Sequence, residues 1–133
     1  MLPRDILDYA KSLLKDATEL EIPANACLCR NIVGRAYYAA YHTALAAARR
    51  EGYNPSDCPE SYGSHEALWE WWFSDRENEV DISSQADSLK AQRHTADYRL
   101  AAFIYLAAAQ GAVDEAEEII NLVGQYAASK RKN

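Results

Sequence analysis

The chain has 133 residues, 49% of them apolar and 26% charged, with 5 Gly, 4 Pro and a formal net charge of −6. One domain of this length can bury a single good core, and the composition excludes a disordered or low-complexity chain. The acidic balance excludes nucleic-acid binding through the global field, and no apolar run is long enough to span a bilayer.

Any RNA contact therefore needs a local basic patch. Arg30, Arg35, Arg49 with Arg50, Arg93 with Arg99, and the tail Lys130-Arg131-Lys132 are the candidates.

Helix patterns run from end to end. Pro3 suits a first helical turn, and Ile6, Leu7, Ala10, Leu13, Leu14 and Ala17 follow at three-four spacing, which predicts an amphipathic helix over Pro3 to Leu20. Glu21-Ile22-Pro23 breaks it. A second helix, Ala24 to Glu51, is apolar nearly all round and rich in Ala and Tyr, which predicts a central position among its neighbours. Gly52 ends it, and Gly52 to Gly63 reads as a loop. Ser64 is the expected N-cap of a short helix through Trp69 and Phe73.

Ser74 to Asp81 is polar and reads as a loop, after which a helix starts near Ser83 or Ser84 and includes Leu89. Gln92 to Asp97 fits either a turn or the opening of the last helix. That last helix is expected over Ala96 to Ala128, carrying Leu100, Phe103, Ile104, Leu106, Val113, Ile119, Ile120, Leu122 and Val123 and reading through Gly111. From Ser129 the basic tail is expected to fray. No alternating strand pattern and no internal repeat is visible. The expected fold is all-α: an antiparallel four-helix bundle with one additional short helix, forming a single domain over residues 1–128.

The three cysteines, Cys27, Cys29 and Cys58, are an odd count without a signal-peptide pattern, which leads us to expect free thiols and a cytoplasmic location. Cys27-x-Cys29 sets its thiols on opposed sides of a helix and lacks metal-ligand spacing, so neither a metal nor a cofactor is expected.

Within the second helix, Arg35 and His42 lie seven residues apart, close to two turns, and so project from one side. Tyr38 falls between them and Asn31 one turn earlier, a stripe spanning about 60° of the helical wheel. A guanidinium and an imidazole on a helix that reads as buried require either a use or a partner. The structural reading pairs Arg35 with Asp97 on a neighbouring helix and makes His42 an interior histidine. The functional reading opens both side chains into a shared groove that takes a phosphodiester. Two turns separate their Cα atoms by roughly 10 Å along the axis, so one phosphodiester would have to bridge them or a second subunit would have to complete the site.

The run Arg35-Ala36-Tyr37-Tyr38-Ala39-Ala40-Tyr41-His42 resembles the helix motif of HEPN domains, small all-α domains of prokaryotic toxin, defence and RNA-processing systems. Gly63-Ser64-His65-Glu66-Ala67-Leu68 and Arg93-His94-Thr95-Ala96-Asp97-Tyr98 extend the resemblance over most of the chain. The resemblance implies a metal-independent endoribonuclease working as a homodimer, the toxin or effector beside an antitoxin or nucleotidyltransferase partner. By that similarity His42 is the general acid/base for attack of the ribose 2′-OH, and Arg35 holds the phosphate and its developing charge. Asn31, Tyr38, His65 and Asp97 would support them. Two positions depart from the pattern: Ala36, where active members commonly carry Asn, Asp or His, and Ala44, where a nucleotidyltransferase-modified subfamily carries tyrosine. The alternative is a catalytically silent module that binds nucleotide, RNA or a protein partner through the same cleft.

Three further features have simpler readings. Trp69, Trp71, Trp72 and Phe73 cannot all face one way on a helix; core packing takes most of them, and at least one is expected at the surface. Arg93 and Asp97 are spaced for a local ion pair. Asp114, Glu115, Glu117 and Glu118 read as a solvated acidic face.

Overall fold

A computed structural model describes residues 1–19, 24–57, 63–74, 76, 79–99 and 104–131. Among the described residues the fold is all-α, without strands. Five α-helices occur in chain order: α1 (Pro3–Ala17), α2 (Ala24–Arg50), α3 (Ser64–Phe73), α4 (Ser83–Tyr98) and α5 (Leu106–Arg131), with one 3-10 turn at Pro55–Asp57. The breaker Glu21-Ile22-Pro23, Cys58, Leu100 and Phe103 lie outside the described residues.

Helix α1 starts at Pro3, and the Asp5 carboxylate accepts the Leu2 N–H at 2.7 Å, satisfying a donor the first turn leaves orphaned. Leu7, Ala10, Leu14 and Ala17 form its buried face. Burying each of the two leucines is worth about 1.5–3 kcal/mol. The helix ends at Ala17, before the expected Leu20, because the Thr18 hydroxyl donates to the Lys15 carbonyl at 2.7 Å and closes the last turn.

Helix α2 is the hub: it packs on α1, α3, α4 and α5. Ile32, Val33, Ala36, Tyr37, Ala39, Ala40, Ala44 and Ala48 are buried, and the many alanines let neighbouring backbones come close. Its end is a Schellman motif: Tyr53 N–H bonds Ala48 O at 2.9 Å, Gly52 N–H bonds Arg49 O at 3.1 Å, and Gly52 takes a φ of +92°. A side chain at Gly52 would strain that left-handed backbone.

Gly63, not Ser64, is the N-cap of α3. Trp69 and Trp72 are buried, with Trp72 Nε1 donating to Ala44 O at 3.2 Å. None of the four aromatics is fully exposed. The expectation of at least one at the surface is met only by half-buried rings: the Arg76 guanidinium lies 3.2 Å from the Trp71 ring centroid, and Tyr53 meets that ring edge-on at 6.0 Å.

Helix α4 is anchored by Asp81, whose Oδ1 accepts the Ser83 N–H at 3.1 Å and hydroxyl at 2.7 Å. Those bonds hold the Asp81 carboxyl below its usual range. The helix runs on to Tyr98, so Gln92 to Asp97 belong to α4 and the last helix starts at Leu106 rather than Ala96. The cause is long-range. Arg30 of α2 donates to the carbonyls of Ala96 at 2.9 Å, Arg99 at 3.1 Å and Thr95 at 3.4 Å. A fixed cation there satisfies the orphan carbonyls and complements the negative helix end.

Helix α5 reads through Gly111 and buries Ala109, Ala112, Val113, Ala116, Ile119, Val123 and Tyr126. It continues through Ser129 to Arg131, past the expected fraying point. Lys130 holds Glu79 at 2.7 Å, which ties that end down. The acidic run is not simply solvated. Glu117 accepts from Lys11 at 2.8 Å and Arg4 at 3.4 Å on α1, and the Lys11 bond leads in holding its carboxyl below the usual range. On the other side Glu115 accepts from Ser88 at 2.9 Å and Gln92 at 3.2 Å, and Glu118 from Gln85 at 2.9 Å. These partly exposed links set the register of α5 against α1 and α4 and add little stability.

Candidate active site

Helix α2 buries most of its circumference but leaves one edge to solvent, and the stripe lies on it. Asn31, Arg35 and His42 are exposed and Tyr38 is half-buried between them. This corrects the expectation of a polar pair on a buried helix. The stripe is where the helix stops being covered.

The side chains along this edge are lightly held. Arg35 Nε lies 3.4 Å from Asn31 Oδ1, a long hydrogen bond, and its guanidinium carbon is 5.9 Å from the Tyr38 ring centroid. The Tyr38 and His42 rings are near-parallel with centroids 6.1 Å apart. Arg35 and Asp97 do not pair. Asp97 Oδ2 lies 2.8 Å from Arg93 Nε, so the local ion pair four residues apart is the one that forms. That contact is one of charge: the buried Nε–H has no acceptor in hydrogen-bonding alignment. His42 is likewise not an interior histidine.

Arg35 and His42 open onto two adjoining grooves rather than one. Arg35 lines a groove of about 360 Å³ with Met1, Asp5, Ile6 and Tyr9. His42 lines one of about 330 Å³ with Met1, Pro3, Ile6, Leu45, Ala46 and Arg49. Met1 and Ile6 belong to both, so the start of α1 divides them. Met1 and Tyr9 leave large apolar surfaces uncovered beside the two polar groups.

A second constellation lies a quarter-turn around α2. His65, from the first turn of α3, stacks on Tyr41 with centroids 4.0 Å apart and on Tyr37 at 5.5 Å. Its Nδ1 is 2.6 Å from the Tyr37 hydroxyl, which also accepts the Trp69 indole N–H at 3.1 Å. Indole nitrogen can only donate, so the phenol oxygen accepts from Trp69; the buried phenol meets no other acceptor among the described residues, so its own O–H goes to His65 Nδ1. That chain assigns His65 the neutral form with its proton on Nε2. Burial, first, and the charges of Arg93, His42 and Lys90 push the His65 pKa below its ordinary 6.5. Burial likewise raises the Tyr37 pKa and keeps the phenol protonated.

Arg93 joins the two groups. Its Nη2 donates to the Tyr38 hydroxyl at 3.4 Å, and its guanidinium carbon lies 5.3 Å from the Tyr37 ring and 5.7 Å from the Tyr38 ring. Tyr38 thus sits between Arg35 on one side and Arg93 on the other. The sequence marked Arg93 as a partner for Asp97 and, with Arg99, as a candidate basic patch, but not as a neighbour of Tyr38. Its role beside Tyr38 depends on how α4 crosses α2, for which no local signal exists. Among the described residues, no three His, Cys, Asp or Glu side chains come together as a metal-ligand set. No helix among them is long and apolar enough to cross a membrane.

No family model matches this chain, and neither does any curated protein or solved structure.

Proposed function

We propose that the protein is a HEPN-type, metal-independent endoribonuclease, the effector of a prokaryotic defence or toxin–antitoxin pair, acting as a homodimer. In this reading the helices form the antiparallel four-helix bundle of that family, with α3 as the added short helix. The observation that carries the proposal is that Arg35 and His42 both reach solvent from one edge of α2 while Asp97, the carboxylate that could have neutralised Arg35, is engaged by Arg93.

The chemistry needs no metal. His42 takes the proton of a ribose 2′-OH as its oxygen attacks the adjacent phosphorus. The P–O5′ bond breaks, leaving a 2′,3′-cyclic phosphate, and the imidazolium returns a proton to the departing 5′ oxygen. Arg35 supplies a planar donor fork to the non-bridging oxygens, where charge builds up. Because the two residues open onto separate though adjoining grooves, with Cα atoms roughly 10 Å apart along the helix, this reading has a second copy complete the site. The uncovered Met1 and Tyr9 surfaces beside them suit an apolar contact between two such edges.

One observation favours the silent-module alternative. Ala36, where active relatives in the resemblance carry a polar residue, is fully buried and offers nothing to the edge. A single assay separates the two readings: RNA digestion in the presence of a chelator by wild type, His42→Ala and Arg35→Ala. The nuclease reading expects cleavage by wild type alone, with all three proteins melting alike. Cleavage by either variant at the wild-type rate ends it. Folded, dimeric wild type that binds RNA without cutting it selects the silent module.

A further inference from the structure

A cleft larger than either groove at the Arg35–His42 edge lies elsewhere among the described residues. It measures about 700 Å³ and lies between the first turn of α3 and one face of α4, lined by His65 and Glu66 on one side and Asp87, Lys90, Arg93 and His94 on the other. That volume falls within the range of about 300–1,000 Å³ typical of small-ligand sites.

The groups facing the cleft are donors with capacity left over. His65 commits Nδ1 to Tyr37, and its Nε2–H has no partner among the described residues. Arg93 places Nη2 on Tyr38 at a long 3.4 Å, and its Nη1 is unpartnered among them. Lys90 has only Asp87, 3.9 Å away and largely in water. Two carboxylates, Asp87 and Glu66, also line the cleft, so its formal charge is balanced. The balance is uneven around His65: burial, first, and the cations Arg93 and Lys90 hold its ring below the ordinary imidazole range. N–H donors with spare capacity, carried by an imidazole, a guanidinium and an ammonium on one cleft, describe an oxyanion receptor.

We infer that this cleft is a phosphate-binding site, in which the Nε2–H of His65, the Nη1 of Arg93 and the ammonium of Lys90 hold the oxygens of one phosphoryl group. The Trp69–Tyr37–His65 chain has a purpose in such a site. By engaging Nδ1 as the acceptor of the Tyr37 O–H it leaves the ring proton on Nε2, which offers a hydrogen rather than a lone pair to an anion. The inference stands apart from cleavage at His42 and holds equally for a nuclease and for a silent module. The phosphate has two chemical sources, the backbone of a single-stranded RNA or a free phosphomonoester.

The test is to follow the imidazole resonances of His65 and His42 by NMR across a pH titration at constant ionic strength. Three probes are added in turn: inorganic phosphate, ribose 5-phosphate, and a 2′-O-methylated single-stranded oligonucleotide without terminal phosphates. Bound anion should raise the pH at which His65 is half-protonated, and a tenfold preference of the anion for the protonated ring would raise it by about one pH unit. A response to the oligonucleotide assigns the RNA backbone as the source, and a response to the monoester alone assigns a free phosphate ester. Lys90→Gln, a half-buried position without a close protein partner, should weaken phosphate binding about tenfold, the expected loss for one charge-assisted hydrogen bond. Silence of His65 toward all three probes overturns the inference. So does a response confined to His42, or undiminished phosphate binding by Lys90→Gln.

Discussion

Two imidazoles stand at the surface of α2, His42 from the helix itself and His65 from α3, and they are held in opposite ways. His42 stands at the exposed edge, near-parallel to a half-buried tyrosine and without a hydrogen-bonded brace among the described residues. His65 is clamped: stacked on Tyr41, bonded to Tyr37 and fixed through it by a buried tryptophan. A rigid, tautomer-defined group suits recognition, because its ordering is complete before a ligand arrives. A loosely held group at an open edge suits a site that a second subunit finishes. The difference teaches that the residues most visible in sequence are not the ones the fold organises most tightly.

Mutations that break the clamp should have the largest effects. Trp69→Ala removes a buried indole together with its bond to Tyr37 and should destabilise by about 3–5 kcal/mol in chemical denaturation. Tyr37→Phe keeps the volume but strands the Trp69 N–H and His65 Nδ1, for a loss of about 1–3 kcal/mol. If Tyr37→Phe melts like wild type, the hydrogen-bonded clamp is not what orders this region.

The pH dependence of stability sharpens the contrast. The unfolded chain takes a proton on His65 near the ordinary 6.5, whereas the folded protein resists until lower pH. Stability contributed by neutral His65 is therefore complete above that value and declines as pH falls through it toward the folded pKa. His65→Gln should flatten this decline, seen in denaturation midpoints measured from neutral to mildly acidic pH. An unchanged slope would show that His65 titrates freely.

The smallest effects belong to the edge. Arg35→Ala and His42→Ala should alter stability by no more than about 0.5 kcal/mol, because neither side chain is buried or closely paired. Had Arg35 been clasped to Asp97 in the interior, its removal would cost about 3–5 kcal/mol. A loss of that size for Arg35→Ala would mean the edge is structural after all.

Much of the architecture was legible. Three-four spacing gave α1, the Ala- and Tyr-rich composition of α2 marked it as the hub, and reading α5 through Gly111 was sound because a lone glycine without proline is a modest penalty. The boundary near residue 98 was not legible. The residues from Ala96 to Leu106 keep a helical pattern, and what ends α4 is a guanidinium from Arg30, more than sixty positions earlier in the chain. The acidic run of α5 shows the same limit. Its charges look solvated in isolation and become links between helices only once α1 and α4 flank them.

At the candidate site the division is similar. Helical periodicity alone put Asn31, Arg35, Tyr38 and His42 on one stripe, since side-chain direction repeats with the turn. The same local spacing paired Arg93 with Asp97. Whether the stripe faced the core or the solvent, and how His65 came to be locked against Tyr37, were settled by helix packing. Local spacing encodes which residues share a face of their own helix. Only the crossing of separate helices decides what that face meets, because burial and pairing energies depend on neighbours distant in the chain.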